Sequence, residues 1–250
     1  MKKSVKEFIG YSLSTKDMVK GKVLDFYFDQ ERWIIRYMEA DQGKILPNKK
    51  VLIPRAMLEH PDKENENFHV GITRKELEKC PATAEKKPVS REYETELLNH
   101  LQMKNYWAGA PPVTEGMMYP LRPVSPPQVQ INEDDIDSHL RSFNEILGYE
   151  IQTTNGKFGK LSDIIVDDED WHIIYFIANE EMNDLSRELM VPIGWIKKIS
   201  YKDQEIVLDI SKESLLKAPE FNPASPINIE YEKKVYDYYG RLQSTDKSKK

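Results

Sequence analysis

The sequence predicts a mainly β protein with a few helices. The expected form is two tandem small β-barrels, each followed by a short amphipathic helix and joined by a Pro-rich linker. Three observations lead there: an internal duplication, short β-prone runs broken by polar turns within each copy, and a central proline-rich stretch without periodicity.

The duplication is visible without gaps. Adding 138 to a residue number superposes residues 4 to 102 on 142 to 240. GKVLDFYFDQERWIIRY (21–37) then lies over GKLSDIIVDDEDWHIIY (159–175). The shared residues include Gly10/Gly148, Gly21/Gly159, Asp25/Asp163, Asp29/Asp167, Trp33/Trp171, Tyr37/Tyr175, Pro54/Pro192 and Tyr93/Tyr231. More than 20 of 99 positions agree, where ordinary composition gives about six by chance. A period this long exceeds the roughly 20 to 50 residues of solenoid units, so each copy is expected to be a domain.

The elements follow in order. Val23–Phe28 and Leu161–Val166 are β-prone runs, each followed by a polar tetrad and a second run, Trp33–Met38 or Trp171–Ile177, the pattern of a hairpin. Alternation in the second strand turns Trp33, Ile35 and Tyr37 toward the core. Copy two carries Ile174 and Phe176 where copy one has Arg36 and Met38, which predicts an apolar outer face needing cover. Further strands are expected at Lys50–Pro54, Glu188–Pro192, Asn67–Ile72 and Glu205–Ile210, with helices at Thr73–Lys79 and Ser211–Lys217 stopped by Pro81 and Pro219. Tyr93, Leu97, Leu98 and Leu101, and likewise Tyr231, Val235, Tyr236 and Tyr239, form apolar stripes on a closing helix, packed on their own barrel or on the sister. The domain reading is copy one at 4–102, linker at 103–141, copy two at 142–241 and a disordered tail at 242–250. Within the linker Tyr106, Trp107, Met117, Met118 and Tyr119 suggest a segment lying along a surface. Its acidic cluster, Glu133 to Asp137, reads as a helix N-terminus before Leu140, Phe143 and Ile146.

Composition bounds the function. The 250 residues suit two small domains. With 31% charged and 39% apolar residues, the chain fits a soluble globular class. A net charge of -6 argues against general affinity for nucleic acid or anionic membrane. Neither a signal peptide nor an apolar run long enough to span a bilayer stands out, so a cytoplasmic location is expected. The single Cys80 forms no internal disulfide and reads as a small buried thiol.

Catalytic chemistry finds little footing. None of the five histidines meets a histidine under the offset, and no P-loop, GxSxG, HExxH or GxGxxG is present. The repeated carboxylates Asp25/Asp163 and Asp29/Asp167 are the best candidates for acid-base work, yet their spacing around a hairpin suits turn residues accepting backbone N–H bonds. Gly21-Lys22 and Gly159-Lys160 read as a turn before a strand, since no helix follows to cradle a phosphate. Trp33/Trp171 and Tyr37/Tyr175 suit core packing better than ligand stacking.

GYSLSTKDMVKGKVLDFYFD with Trp33 and VLIP at 51–54, and GYEIQTTNGKFGKLSDIIVDDEDW with LMVP at 189–192, resemble the PRC-barrel domain. That family includes the cytoplasmic domain of the photosynthetic reaction centre H subunit and the C-terminal domain of a ribosome maturation factor. The chain resembles stand-alone bacterial proteins with two such domains. The resemblance implies small bent barrels that dock partners and carry no catalytic residues. The expectation is therefore a non-enzymatic adaptor or scaffold for protein–protein interaction, with no cofactor or metal and no membrane insertion. Its partner is unknown, and sister-barrel packing or a homodimer covers the apolar faces. Alternatives are a small-molecule sensor binding between the barrels and an RNA- or ribosome-associated factor, the latter disfavoured by charge. The candidate partner surface is Tyr106, Trp107, Ile174, Phe176, Tyr236, Tyr238 and Tyr239.

Overall fold

The computed structural model describes residues 1–18, 20–41, 49–83, 89–107, 140–182 and 185–247. Most of the linker, with Met117, Met118, Tyr119 and the acidic cluster at 133–137, lies outside them, as do the last three residues. Copy one runs through β1 (Lys2–Ser4), α1 (Val5–Phe8), β2 (Ser12–Ser14), β3 (Lys20–Asp29), β4 (Ile34–Asp41), β5 (Lys50–Pro54), β6 (Asn67–His69), α2 (Arg74–Lys79) and α3 (Arg91–His100). Copy two runs through β7 (Leu140–Ser142), α4 (Phe143–Ile146), β8 (Glu150–Thr153), β9 (Gly156–Asp167), β10 (Ile173–Met182), β11 (Leu185–Pro192), β12 (Ile196–Ser200), β13 (Glu205–Leu208), α5 (Lys212–Leu215) and α6 (Ile229–Lys247).

The fold is mainly β, in two sheets. One has the order β5-β4-β3-β2-β6 and the other β11-β10-β9-β8-β13-β12. The segment equivalent to β12 in copy one makes only two isolated bridges, Leu58 to Val70 and Asp62 to Asn67. Neither sheet closes into a barrel: among the described residues no ladder joins β5 to β6 or β11 to β12. The expected closed barrels are thus corrected to open, coiled sheets. The physical reason lies at Pro54 and Pro192, which end the strands without an N–H to donate and lead into short 3₁₀ turns, Arg55–Met57 and Ile193–Trp195.

Bulges decide which face each residue takes. A register shift between Tyr27 and Phe28 leaves Phe26 opposite Met38 and Tyr27 opposite Tyr37. Phe26 packs with Phe8 and Phe68, so Met38 shares the inner face, while Tyr37 turns toward α3 and Glu94. Tyr37 is buried as expected, but on the face under α3, and Met38, which simple alternation put outward, is buried too. The same shift between Ile173 and Tyr175 sends Tyr175 to Glu232 of α6, 3.2 Å from its hydroxyl, and Phe176 inward opposite Ile164. Gly21 and Gly159 stand inside strands rather than in turns. A Cβ there would lie 2.3 Å from the Asp41 carbonyl and 2.0 Å from that of Asn179, so only glycine fits.

The two copies exchange elements reciprocally. β1 of copy one adds to β9 of copy two, pairing Lys2 with Asp167 and Ser4 with Ile165. β7 adds to β3 through the equivalent pairs, Leu140 with Asp29 and Ser142 with Tyr27. The amide of Ile35 donates to the Trp171 carbonyl at 2.9 Å, and that of Ile173 to the Trp33 carbonyl at 2.7 Å. Ile34 and His172, equivalent under the repeat, bridge to each other and so mark a pseudo-two-fold axis. Beside it Trp33 and Trp171 hold left-handed backbone, φ 55° and 60°, an unfavourable conformation for bulky residues. That turn aims each indole across the axis. Trp171 stacks on Phe26 and meets Phe8 and Phe68 of copy one, and Trp33 meets Phe176 of copy two edge-on at 5.4 Å. Both tryptophans are buried, in one core that runs through both sheets.

The closing helices stay with their own copies. Tyr93 donates to the Pro81 carbonyl, and the matching Tyr231 to Pro219. Leu140–Ser142, expected near a helix start, is strand β7, because its backbone completes β3. Helix α6 continues to Lys247, into the stretch read as a tail. No glycine or proline stops it after Gly240.

Candidate functional site

Two sets of repeated residues claim attention, the carboxylates at the exchange and the surface between the copies. Asp25 accepts bonds from the Ser142 hydroxyl, the Asn144 amide (3.1 Å) and the Phe26 amide (2.7 Å). Asp163 accepts from the Ser4 hydroxyl, the Lys6 amide (3.0 Å) and the Ile164 amide (2.7 Å). Each serine also caps its one-turn helix, accepting from the amide of Glu7 or Glu145 at 3.0 Å. One Ser-Asp latch thus fastens each exchanged strand to the sister. Burial raises both carboxyls to about 6 against the pull of these donors. Asp29 and Asp167 are turn residues: Asp29 accepts the Glu31 and Arg32 amides, and Asp167 that of Glu169. Asp25 and Asp163 are therefore occupied in holding the copies together, and Asp29 in its own turn.

Between the copies a groove of about 700 Å³ opens, lined by Arg55, Ala56, Leu58, Glu59 and His60 of one and Asp168, Glu169, Asp170 and Trp171 of the other. Its walls are the 3₁₀ turn after β5 and the hairpin turn before β10. Arg55 crosses the seam to donate to the Asp170 carbonyl; burial, and then neighbouring Arg36, lower its pKa from the usual guanidinium value. Four carboxylates against one arginine and one histidine make the groove acidic, although the Met1 ammonium on Asp168, 3.9 Å from Glu169, offsets part of that charge. The equivalent surface across the axis carries Lys197, Lys198 and Arg32 instead. There Tyr201 donates to Gln30, the counterpart of Asp168, and lies under Arg141 at 3.4 Å from ring centroid to guanidinium carbon. Lys63, the counterpart of Tyr201, pairs with Glu7 at 2.6 Å. An aromatic thus covers one side of the axis and not the other. Among the described residues no group of three or more His, Cys, Asp or Glu is placed to hold a metal.

The residues expected to face a partner scatter. Phe176 is buried under Trp33, and Tyr239 is buried with its hydroxyl on the Met190 carbonyl. Ile174 is half-buried against the core, and Tyr238 is half-buried with its hydroxyl on the Ser214 carbonyl. Tyr236 is exposed. Tyr106 and Trp107 fold back on copy one: Tyr106 donates to Glu94 at 2.8 Å, lies under Arg36 and touches Trp107 edge-on. These seven residues do not form one patch, since the bulge in β10 turns Phe176 inward and α6 covers its own sheet. The groove residues Arg55, Glu59 and His60 carried no signal in the sequence. The Ser4/Ser142 and Asp25/Asp163 identities did, although nothing local shows that they touch across copies.

No curated protein matches the chain. Residues 139–215, which span β7 through α5 and so include the exchanged strand, the latch serine, the hairpin and one wall of the groove, match the PRC-barrel domain model. The second repeat of this chain is thus similar to a PRC-barrel domain.

Proposed function

We propose that the protein is a non-enzymatic adaptor, in which two copies locked by strand exchange present a shared groove to a protein partner in the cytoplasm. One observation carries this reading. The repeated Asp25 and Asp163 serve the latch and Asp29 and Asp167 their turns, whereas the open acidic groove is built by both copies together. An acidic cleft with Ala56, Leu58 and Trp171 in its lining favours a basic segment with apolar side chains. No described helix is long and apolar enough to cross a membrane.

The test is cross-linking followed by mass spectrometry, comparing the native chain with Glu59→Lys/Glu169→Lys. The adaptor reading expects a protein cross-linked to residues 55–60 or 168–171 and lost in the variant. Equal capture by both chains would overturn it. The groove volume also suits a small ligand, the sensor reading. A metabolite that raises the melting temperature of the native chain but not of the variant would favour that reading.

A further inference from the structure

The equivalent aspartates Asp29 and Asp167 are both buried, and each has a side-chain cation, but the cations come from different places. Asp29 takes Arg36 of its own β4, 2.9 Å away. Asp167 takes Lys2 of the other copy's β1, 2.6 Å away, with the terminal ammonium of Met1 at 3.3 Å. Copy two has Ile174 in place of Arg36 and Leu140 in place of Lys2. One aspartate is therefore served within its copy and the other across the seam.

Pairing like with like breaks this arrangement. Two second copies would leave both Asp167 carboxylates facing Leu140 and Ile174, buried without a side-chain cation. Two first copies would set Arg36 and Lys2 together on each Asp29, with Arg55 close to Arg36. Each outcome leaves uncompensated charge in a place removed from water, which is strongly unfavourable. The seam bond from Arg55 to the Asp170 carbonyl also has no equivalent in copy two, where Ile193 stands. We infer that the exchange surface of each repeat is coded for the unlike repeat, so its one further partner is the opposite repeat of a second copy of this chain. Two chains that exchange both repeats reciprocally close as a dimer. The inference is independent of what the groove binds.

The test uses the full chain with one protease site placed within 108–139 and cleaved after folding. Cleaved samples, one isotope-labelled and one not, are mixed, unfolded in urea, refolded and weighed by native mass spectrometry. Complexes of one N-terminal with one C-terminal piece are expected in all four label combinations, with like pairs at background. Like pairs in statistical proportion, or pieces that separate, would overturn the inference. Two variants probe the charge code. Arg36→Ile leaves Asp29 to be served by Lys2, which only another N-terminal piece supplies, so pairs of N-terminal pieces should rise by about tenfold or more, the change expected for each 1.4 kcal/mol. Leu140→Lys supplies Asp167 with a cation from a like partner and should do the same for C-terminal pieces. If neither variant changes the distribution, the charge argument fails.

Discussion

Replacing Trp171 separates two effects that this position combines. The indole is 5% exposed, stacks on Phe26 at 5.9 Å and fills space between Phe8 and Phe68 of the other copy. A tryptophan buries roughly 150 to 250 Å², which at about 25 cal/mol per Å² is on the order of 4 to 6 kcal/mol. Trp171→Ala should therefore cost about 3 to 5 kcal/mol, the usual range for such truncations. The backbone acts in the opposite direction for a second variant. At φ 60° any residue with a Cβ is strained, by roughly 1 to 2 kcal/mol, and glycine is not. Trp171→Gly should thus lose the same packing yet be about 1 kcal/mol more stable than Trp171→Ala, reversing the order found in helices and strands. Urea unfolding followed by far-ultraviolet circular dichroism gives the comparison. With a slope of about 3 kcal/mol per molar, the alanine midpoint should fall by about 1 M or more. An alanine variant as stable as the glycine variant would refute the strain argument, and unchanged midpoints would refute the packing.

Asp25 and Asp163 are raised from 3.8 to about 6 in the folded state, which works out at roughly 3 kcal/mol each at most. Between about pH 4 and 6 the folded chain binds more protons at these groups than the unfolded chain. Their contribution is therefore greatest below pH 4 and is lost as pH rises through 6, and the Asp25→Asn/Asp163→Asn double variant should lack that slope in unfolding measured against pH. Gly159→Ala sets a Cβ 2.0 Å from the Asn179 carbonyl and should lower stability by about 1 to 3 kcal/mol or more, read as a lower melting temperature; an unchanged value would show that β9 and β10 separate without cost. Cys80 is buried, and burial raises its thiol to about 11, so it should react with a disulfide reagent only on unfolding; fast reaction of the native chain would contradict its placement.

The duplication, the β class and most of the hairpin strands and helices were legible in the sequence, because these rest on local pattern. β5 runs over Lys50–Pro54 as the strand propensity indicates, and α2 begins at a capping box between Thr73 and Glu76. Tertiary structure decided everything that depends on partners distant in the chain. β1 and β7 are three-residue strands with no signal of their own, and each exists because β9 or β3 of the other copy offers it a backbone edge. Bulges then set the faces, sending Phe176 inward to Trp33 and burying Tyr37 on the face beside Glu94 of α3. Identity at Asp25/Asp163 and Trp33/Trp171 showed that both copies need these residues, while their work across the axis became visible only with the chain folded. Side-chain period reports one strand's alternation, but register, bulges and the groove arise from the free energy of bringing distant segments together.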